Sequence, residues 1–239
     1  VRQSDGAIAP CDSVDVAIVQ DADAFARLRE EWRVLDARSM TPSFFQSEAW
    51  CSHVIAALTA FSEACRPEAL AVTARKAGRL VAIWPLQVTR ESGAYVLTDL
   101  TGPFSQYADI VIDRDEASES DDLCRTMLAQ ARAISGADAL ILRKVRTDTP
   151  LGRALASQSQ SRVLDTPQHA PFVSLAGHAT FDSFHATAKA KTRKNVRNAT
   201  HRLEKQGVLT HRVERRSARA DEALSLCFGL RTDWLEQQG

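Results

Sequence analysis

The sequence has no run of about 18 apolar residues, so it implies no membrane-spanning helix. It has no C-x-x-C pair. Its five cysteines, Cys11, Cys51, Cys65, Cys124 and Cys227, are odd in number and far apart. That excludes the stapled framework of a small secreted domain and leads us to expect reduced thiols in the cytoplasm. The histidines are scattered without zinc-like spacing, so no metal site is expected. The nucleotide loops G-x-x-x-x-G-K-[ST] and G-x-G-x-x-G are absent, as are G-x-S-x-G and H-E-x-x-H. A Gly-rich anion loop of the R/Q-x-x-G-x-G type is missing too. The nearest stretch, RTDTPLG at 146–152, lacks the spacing. No complete catalytic constellation can be assembled, and the catalytic residues stay unassigned.

What the chain does have is one strongly basic stretch. Residues 179–216 carry four lysines and six arginines against three acids, a net of +7, in a protein whose formal charge is zero. Residues 1–178 net −5 and residues 217–239 net −2. Residues 181–207, FDSFHATAKAKTRKNVRNATHRLEKQG, read as one long helix. Lys189, Arg193, Arg197, His201 and Lys205 recur every fourth residue and share a face. Val196, Ala199 and Leu203 form a narrow apolar seam. Like charges at this spacing weaken an isolated helix by a few tenths of a kcal/mol per pair, roughly. A solvated helix face would look the same. A functional face would bind an anion, with Lys191, Arg193, Lys194 and Arg197 as candidates.

Around this stretch the periodicities alternate between three to four and two. Residues 1–13 are polar, lack a signal-peptide layout and read as a flexible arm. VDVAIV at 14–19 alternates as a strand. A helix capped by Asp21 or Asp23 runs to about 39, with Phe25, Leu28, Trp32 and Leu35 inward. A second covers about 46–61, with Trp50, Val54, Ile55 and Leu58 inward. A hairpin follows at 70–90, turning at Lys76-Ala77-Gly78. Pro85 belongs at an edge or bulge of it. Strands are expected at 94–100, 108–112 and 138–145, with a helix from about 113 to 135 between the last two. A short helix starts at Pro150, and strands at 162–165 and 171–175 precede a boundary at 176–178. The basic helix, a strand at 208–215 and a helix at 218–238 complete the chain. FARLREEWRVL and ALSLCFGLRTDWLEQ, each after a strand, hint at a repeat begun a second time.

Two further spots hold candidate binding residues. FFQSEAW at 44–50 puts aromatics and an amide at a helix start. A buried staple would explain it, and so would a pocket lined by Gln46 and Trp50. Tyr107 and Asp109 follow a Gly-Pro loop, a reasonable place for ligand contacts, although loop polars are also common there.

The motifs FFQSEAW (44–50), LAVTARKAGRLVAIWPLQV (70–88), SQYADIVID (105–113) and AKAKTRKNVRNATHRLEKQGVL (188–209), in this order, resemble a family. It is the cellulose-biosynthesis-type (CelD/BcsL-like) acetyltransferases of the GNAT superfamily, and more distantly the FemABX aminoacyl-transferring proteins. The resemblance implies an α/β protein with a GNAT-like mixed, largely antiparallel sheet flanked by helices at 14–176. The first elements of a second GNAT-like half would follow at 177–239, with the chain truncated inside that half. It implies N- or O-acyl transfer from acetyl-CoA or another acyl-CoA to a polysaccharide, sugar or amino acceptor. The first half would be a degenerate copy without a donor loop, inactive alone. Lys191, Arg193 and Asn195 match the family's K-x-R-x-N helix beside the interdomain cleft. Two readings stand beside this one. The basic helix at 185–206 would contact nucleic acid or another polyanion without chemistry, although it lacks aromatics after Phe184. Alternatively, the degenerate half is a scaffold or dimer surface.

Overall fold

A computed structural model describes residues 13–20, 22–40, 44–58, 68–102, 104–134, 136–159, 161–163, 169, 173–213 and 218–238. The expected N-terminal arm, Cys11 and Cys65 lie outside that set. The chain divides into two compact units, Val1–Thr166 and Pro167–Gly239.

The first unit is built on the expected hairpin. Strands β2 (Glu68–Lys76) and β3 (Arg79–Glu91) pair antiparallel, with Lys76 opposite Arg79. The turn needs left-handed backbone at both central residues, and Ala77 (φ 49°) and Gly78 (φ 78°) supply it. β1 (Val14–Val19) lies antiparallel on the far side of β2. β4 (Ala94–Asp99) folds back on β3, Leu86 opposite Asp99. β5 (Val111–Ile112) pairs the same edge of β3 further along, at Ala82 and Ile83. Helix α3 (Ser120–Arg132) then crosses over to β6 (Ala139–Leu140), which runs parallel to β4. The strand order is β1-β2-β3-β4-β6, a mixed and largely antiparallel sheet as expected.

Pro85 is neither at an edge nor in a bulge. It sits in the central strand, opposite Ala71, where β4 has ended and β5 has not begun. Its carbonyl accepts the Leu100 N–H at 3.2 Å. The ladder is interrupted on that edge, so the missing proline N–H costs no strand hydrogen bond.

Alternation along the strands separates two cores. On one face Ala71, Leu80 and Ile83 pack with Phe25, Leu28, Trp32 and Leu35 of α1 (Ala22–Arg38), and with Cys51 and Val54 of α2 (Glu48–Leu58). On the other, Val72, Trp84 and Leu86 meet Leu123, Met127 and Leu128 of α3 and Leu151 of α4 (Pro150–Ala156). Trp50 and Ile55 are partly buried against the first core. The Leu58 side chain and residues 59–61 fall outside the described set. Thr149 caps α4 by accepting the Gly152 N–H, with Pro150 in the first turn.

Other expectations need correction. The helix expected from 113 opens as a 3₁₀ turn, Arg114–Glu119, because Asp113 accepts the Asp115 N–H and starts a tighter coil. The strand expected at 138–145 is regular only over Ala139–Leu140. Lys144 takes a left-handed φ of 60°, and only an isolated bridge joins Val145 to Ala108. Residues 161–163 and 173–175 form no strand, and the rest of those two expected strands is outside the described residues.

Among its described residues the second unit holds three helices, α5 (Phe181–Thr187), α6 (Ala190–Glu204) and α7 (Ala218–Gln238). The single long basic helix is therefore wrong. The chain is extended at Ala188 (ψ 149°) and Lys189 (ψ 143°). The Thr187 hydroxyl turns back to the Phe184 carbonyl, and the Arg193 guanidinium donates to the carbonyls of Ala186 (2.9 Å) and Ala188 (2.6 Å). Those bonds satisfy the end of α5 outside a continuous helix. Nor do residues 208–213 form a strand, since no described segment of this unit offers them a ladder. The apolar seam of α6 is not packed: Val196 and Leu203 are 47% and 52% exposed.

Candidate functional site

In the first unit Leu100 meets the interrupted ladder at the Pro85 carbonyl and opens the loop that leads to β5. Three struts hold that loop. The buried Gln46, just before α2, donates from Nε2 to the Tyr107 carbonyl at 2.7 Å. Its own carbonyl accepts the Trp32 indole N–H at 3.1 Å, which ties the strut to α1. Lys144 Nζ donates to the Ser105 carbonyl at 2.7 Å. Asp99, at the end of β4, is buried and accepts the Ser105 hydroxyl at 3.1 Å. Burial pushes the Asp99 carboxyl above its usual range, against the pull of Ser105 and nearby backbone N–H groups. A Cβ on Gly102 would lie 2.8 Å from Asp99 Oδ2, so the loop passes the carboxyl at glycine. Gln87 donates to the carbonyls of Asp99 and Gly102, while its buried Oε1 bonds to nothing among the described residues.

Trp50 joins Phe44 and Phe45 in an aromatic cluster, with ring centroids 5.0 and 6.0 Å away. Phe44 is exposed. The Trp50 indole N–H is buried and bonds to nothing among the described residues. Tyr107 is half-buried beneath the Arg146 guanidinium, 5.9 Å from its ring. Asp109 accepts the Ile110 N–H at 2.9 Å. Burial pushes its carboxyl up to about 6, partly offset by that N–H, by Arg146 and by Thr149. Thr149, the cap of α4, is among the groups that act on it, which puts the carboxyl at the start of α4. The first-unit candidates therefore split: Gln46 holds the Tyr107 backbone, Trp50 packs with Phe44 and Phe45 against the α1–α2 core, and Asp109 has no recorded contact with either among the described residues.

A separate surface hollow of about 170 Å³ is bordered by Glu31, Val34, Arg38, Arg79, Leu80 and Asp113 and contains none of these candidates. Its cations are already paired, Arg79 to Asp113 at 2.7 Å and Arg38 to the same carboxylate at 3.2 Å.

In the second unit, Lys191, Lys194, Asn195 and Arg197 are exposed on α6 and make no hydrogen bond or ion pair with their side chains among the described residues. Arg193 differs, because it staples α5 to α6.

The sequence singles out none of Asp99, Ser105 and Gln87; its one signal is a glycine, Gly102, three residues after Asp99.

The 146–152 turn is closed to a pyrophosphate. In the 146–152 turn, a Cβ on Gly152 would lie 2.0 Å from the Arg146 carbonyl oxygen, and the Gly152 N–H is already taken by Thr149. Backbone packs on backbone where a cradle would have to open. No group of three or more His, Cys, Asp or Glu suited to a metal occurs among the described residues. No described helix is long and apolar enough to cross a membrane.

No family model matches the chain, and no curated protein matches it. Among solved structures, a ribosomal-protein-alanine N-acetyltransferase from Brucella melitensis biovar Abortus 2308 is similar at 17% identity. It covers 67% of this chain and 100% of its own, with a TM-score of 0.40. An aminoglycoside acetyltransferase from an uncultured soil metagenomic sample is 13% identical over 68% of this chain and 99% of its own, TM-score 0.41. Glucosamine-6-phosphate N-acetyltransferase from Arabidopsis thaliana is 8% identical over 67% and 99%, TM-score 0.36.

Proposed function

We propose that the chain is part of a GNAT-type acyltransferase of the CelD/BcsL-like kind. It would serve N- or O-acyl transfer from acetyl-CoA or another acyl-CoA to a small-molecule or saccharide acceptor. The observation carrying this reading is the sheet. An antiparallel β1-β2-β3-β4 meander, then a helical crossover to a strand parallel to β4, stands where the resemblance implies it. The SQYADIVID motif at 105–113 supplies β5, which resumes the pairing with β3 beyond the interruption. In this reading residues 14–176 are a first, degenerate copy and residues 177–239 open a second.

The closed 146–152 turn supports placing the donor site elsewhere, so no catalytic step is assigned to these residues. Gln46, Trp50, Tyr107 and Asp109 are the acceptor-side candidates of the first unit. Lys191, Lys194, Asn195 and Arg197 are candidates for an anionic ligand, and Arg193 supports them by fixing the start of α6. The buried free thiols Cys51 and Cys124 suit a cytoplasmic location.

Two measurements test the reading. Calorimetry should find acetyl-CoA bound to this chain more weakly than about 10 μM, roughly −7 kcal/mol. Tighter binding would put a donor site within it. In the protein that carries this chain, thiol release from acetyl-CoA should rise with an amine or saccharide acceptor. No release with any member of such a panel would end the acyltransferase reading.

A further inference from the structure

We infer that the α5–α6 corner is a binding surface for single-stranded nucleic acid. The break at Ala188–Lys189 changes what the basic segment offers. It places aromatic rings on one short helix and unpaired cations on the next, joined by two residues and pinned by Arg193.

On α5, Phe181 and His185 stack at 5.3 Å and 13° between planes. Phe184 sits edge-on to His178 at 5.6 Å and packs near Phe181, bracing the stack from behind. Phe181 is 67% exposed, so a ring already held in place has solvent-accessible surface to give. Every nucleobase has a π-face suited to such a platform.

On α6, Lys191, Lys194, Arg197, Arg202 and Lys205 make no side-chain ion pair among the described residues, and Glu204 is the helix's one acid. They follow one another at three, three, five and three residues, roughly 4.5 to 7.5 Å along the axis. A phosphodiester strand presents negative charge at comparably close intervals. Charge complementarity therefore favours a polyanion, and the rings decide which one. An anionic membrane surface would want a broad apolar face opposite the cations, and α6 has only Val196 and Leu203 as large apolar residues and no aromatics. A duplex keeps its bases stacked on one another and would leave Phe181 unused.

The inference shares only the positive helix with the acyltransferase reading and requires no acyl transfer. Its test is fluorescence anisotropy on the full chain with labelled RNA and DNA strands of about 20 nucleotides, the matching duplex and a heparin fragment. The single strands should bind in about 50 mM salt and weaken steeply towards about 200 mM. The triple change Lys191→Ala, Lys194→Ala, Arg197→Ala should lower the salt slope by about 2, near 0.7 per lost phosphate contact. Phe181→Ala should cost about tenfold on single strands through lost stacking and nothing on heparin, and Phe181→Trp should restore it. These positions are exposed, and circular dichroism should show unchanged helix content. No single-strand binding in about 50 mM salt would overturn the assignment. So would a Phe181→Ala protein that binds single strands as well as the parent, or loses heparin equally, because charge alone would then be the attraction. Unchanged binding on adding acetyl-CoA would show that a failure here is separate from any failure of acyl transfer.

Discussion

The two units use apolar and charged side chains in opposite ways. In the first, Trp32, Trp84, Ile83 and Leu97 are at most 1% exposed, and many of the cations at its surface meet acids. Arg29 and Arg33 both reach the buried Glu48 carboxylate, at 2.7 and 2.8 Å, and Arg75 clasps Glu31. In the second, Phe228, Leu230 and Trp234 of α7 are 70%, 60% and 47% exposed, and the α6 lysines and arginines meet no acid among the described residues. The difference teaches that composition is a poor guide to cohesion. Tryptophan stabilises β3 because the sheet and α3 enclose it, whereas the same residue on α7 is half exposed beneath Arg231, 4.4 Å from its ring.

Truncating an enclosed ring is the strongest way to probe this contrast. Trp84→Ala should cost about 3–5 kcal/mol by denaturant unfolding. Phe228→Ala should stay within about 0.5 kcal/mol. Equal costs would erase the distinction. Gly152→Ala comes next, because its Cβ would collide with the Arg146 carbonyl at 2.0 Å. We expect a loss of about 1–3 kcal/mol, the usual range for overpacking. Gly207→Ala, where a Cβ meets nothing within 4 Å, should be far milder.

Acidity sharpens the comparison further. Burial pushes Asp109 to about 6 and Asp36 likewise to about 6. A carboxyl with a raised folded pKa contributes stability that is fully present below its ordinary pKa, about 3.9. That contribution is lost as pH rises through about 6. Asp109→Asn stays neutral throughout. Its melting temperature should match the parent's near pH 4 and exceed it at pH 7.5. A constant offset across that range would deny the buried-acid assignment. The smallest effect concerns the second unit. Arg193→Ala removes two hydrogen bonds from a charged donor to carbonyls and should loosen α5 by about 1 kcal/mol, given the solvent around them. Lys191→Ala, with no partner to lose, should leave α5 unchanged by amide exchange.

Much of the first unit was legible in the sequence because its signals are local. The turn at Ala77-Gly78, the inward face Phe25-Leu28-Trp32-Leu35 and the cap at Thr149-Pro150 follow from nearby residues alone. Pro85 was not legible, because the gap it occupies depends on where β4 stops and on the packing of residues 100–110. The α5–α6 break was hidden for a similar reason. Ala188, Lys189 and Ala190 favour helix, and the chain parts there because Arg193 reaches back. Val208, Thr210 and Val213 are β-branched and favour strand, but propensity does not supply a neighbour. At the candidate site, Gln46 stood out as an amide among aromatics. Asp109 could not be separated from Tyr107 until the fold placed its carboxyl at the start of α4. Asp99 carried little signal beyond Gly102.

Native-state hydrogen exchange across the whole chain tests most directly the claim that cohesion resides in the first unit and contact surface in the second. Amides of β2, β3 and α3 should exchange only through global unfolding, while those of α6 and α7 should open at a far lower free energy. Protection of α7 equal to that of β3 would contradict the account, since its exposed Phe228, Leu230 and Trp234 would then have to be packed against something.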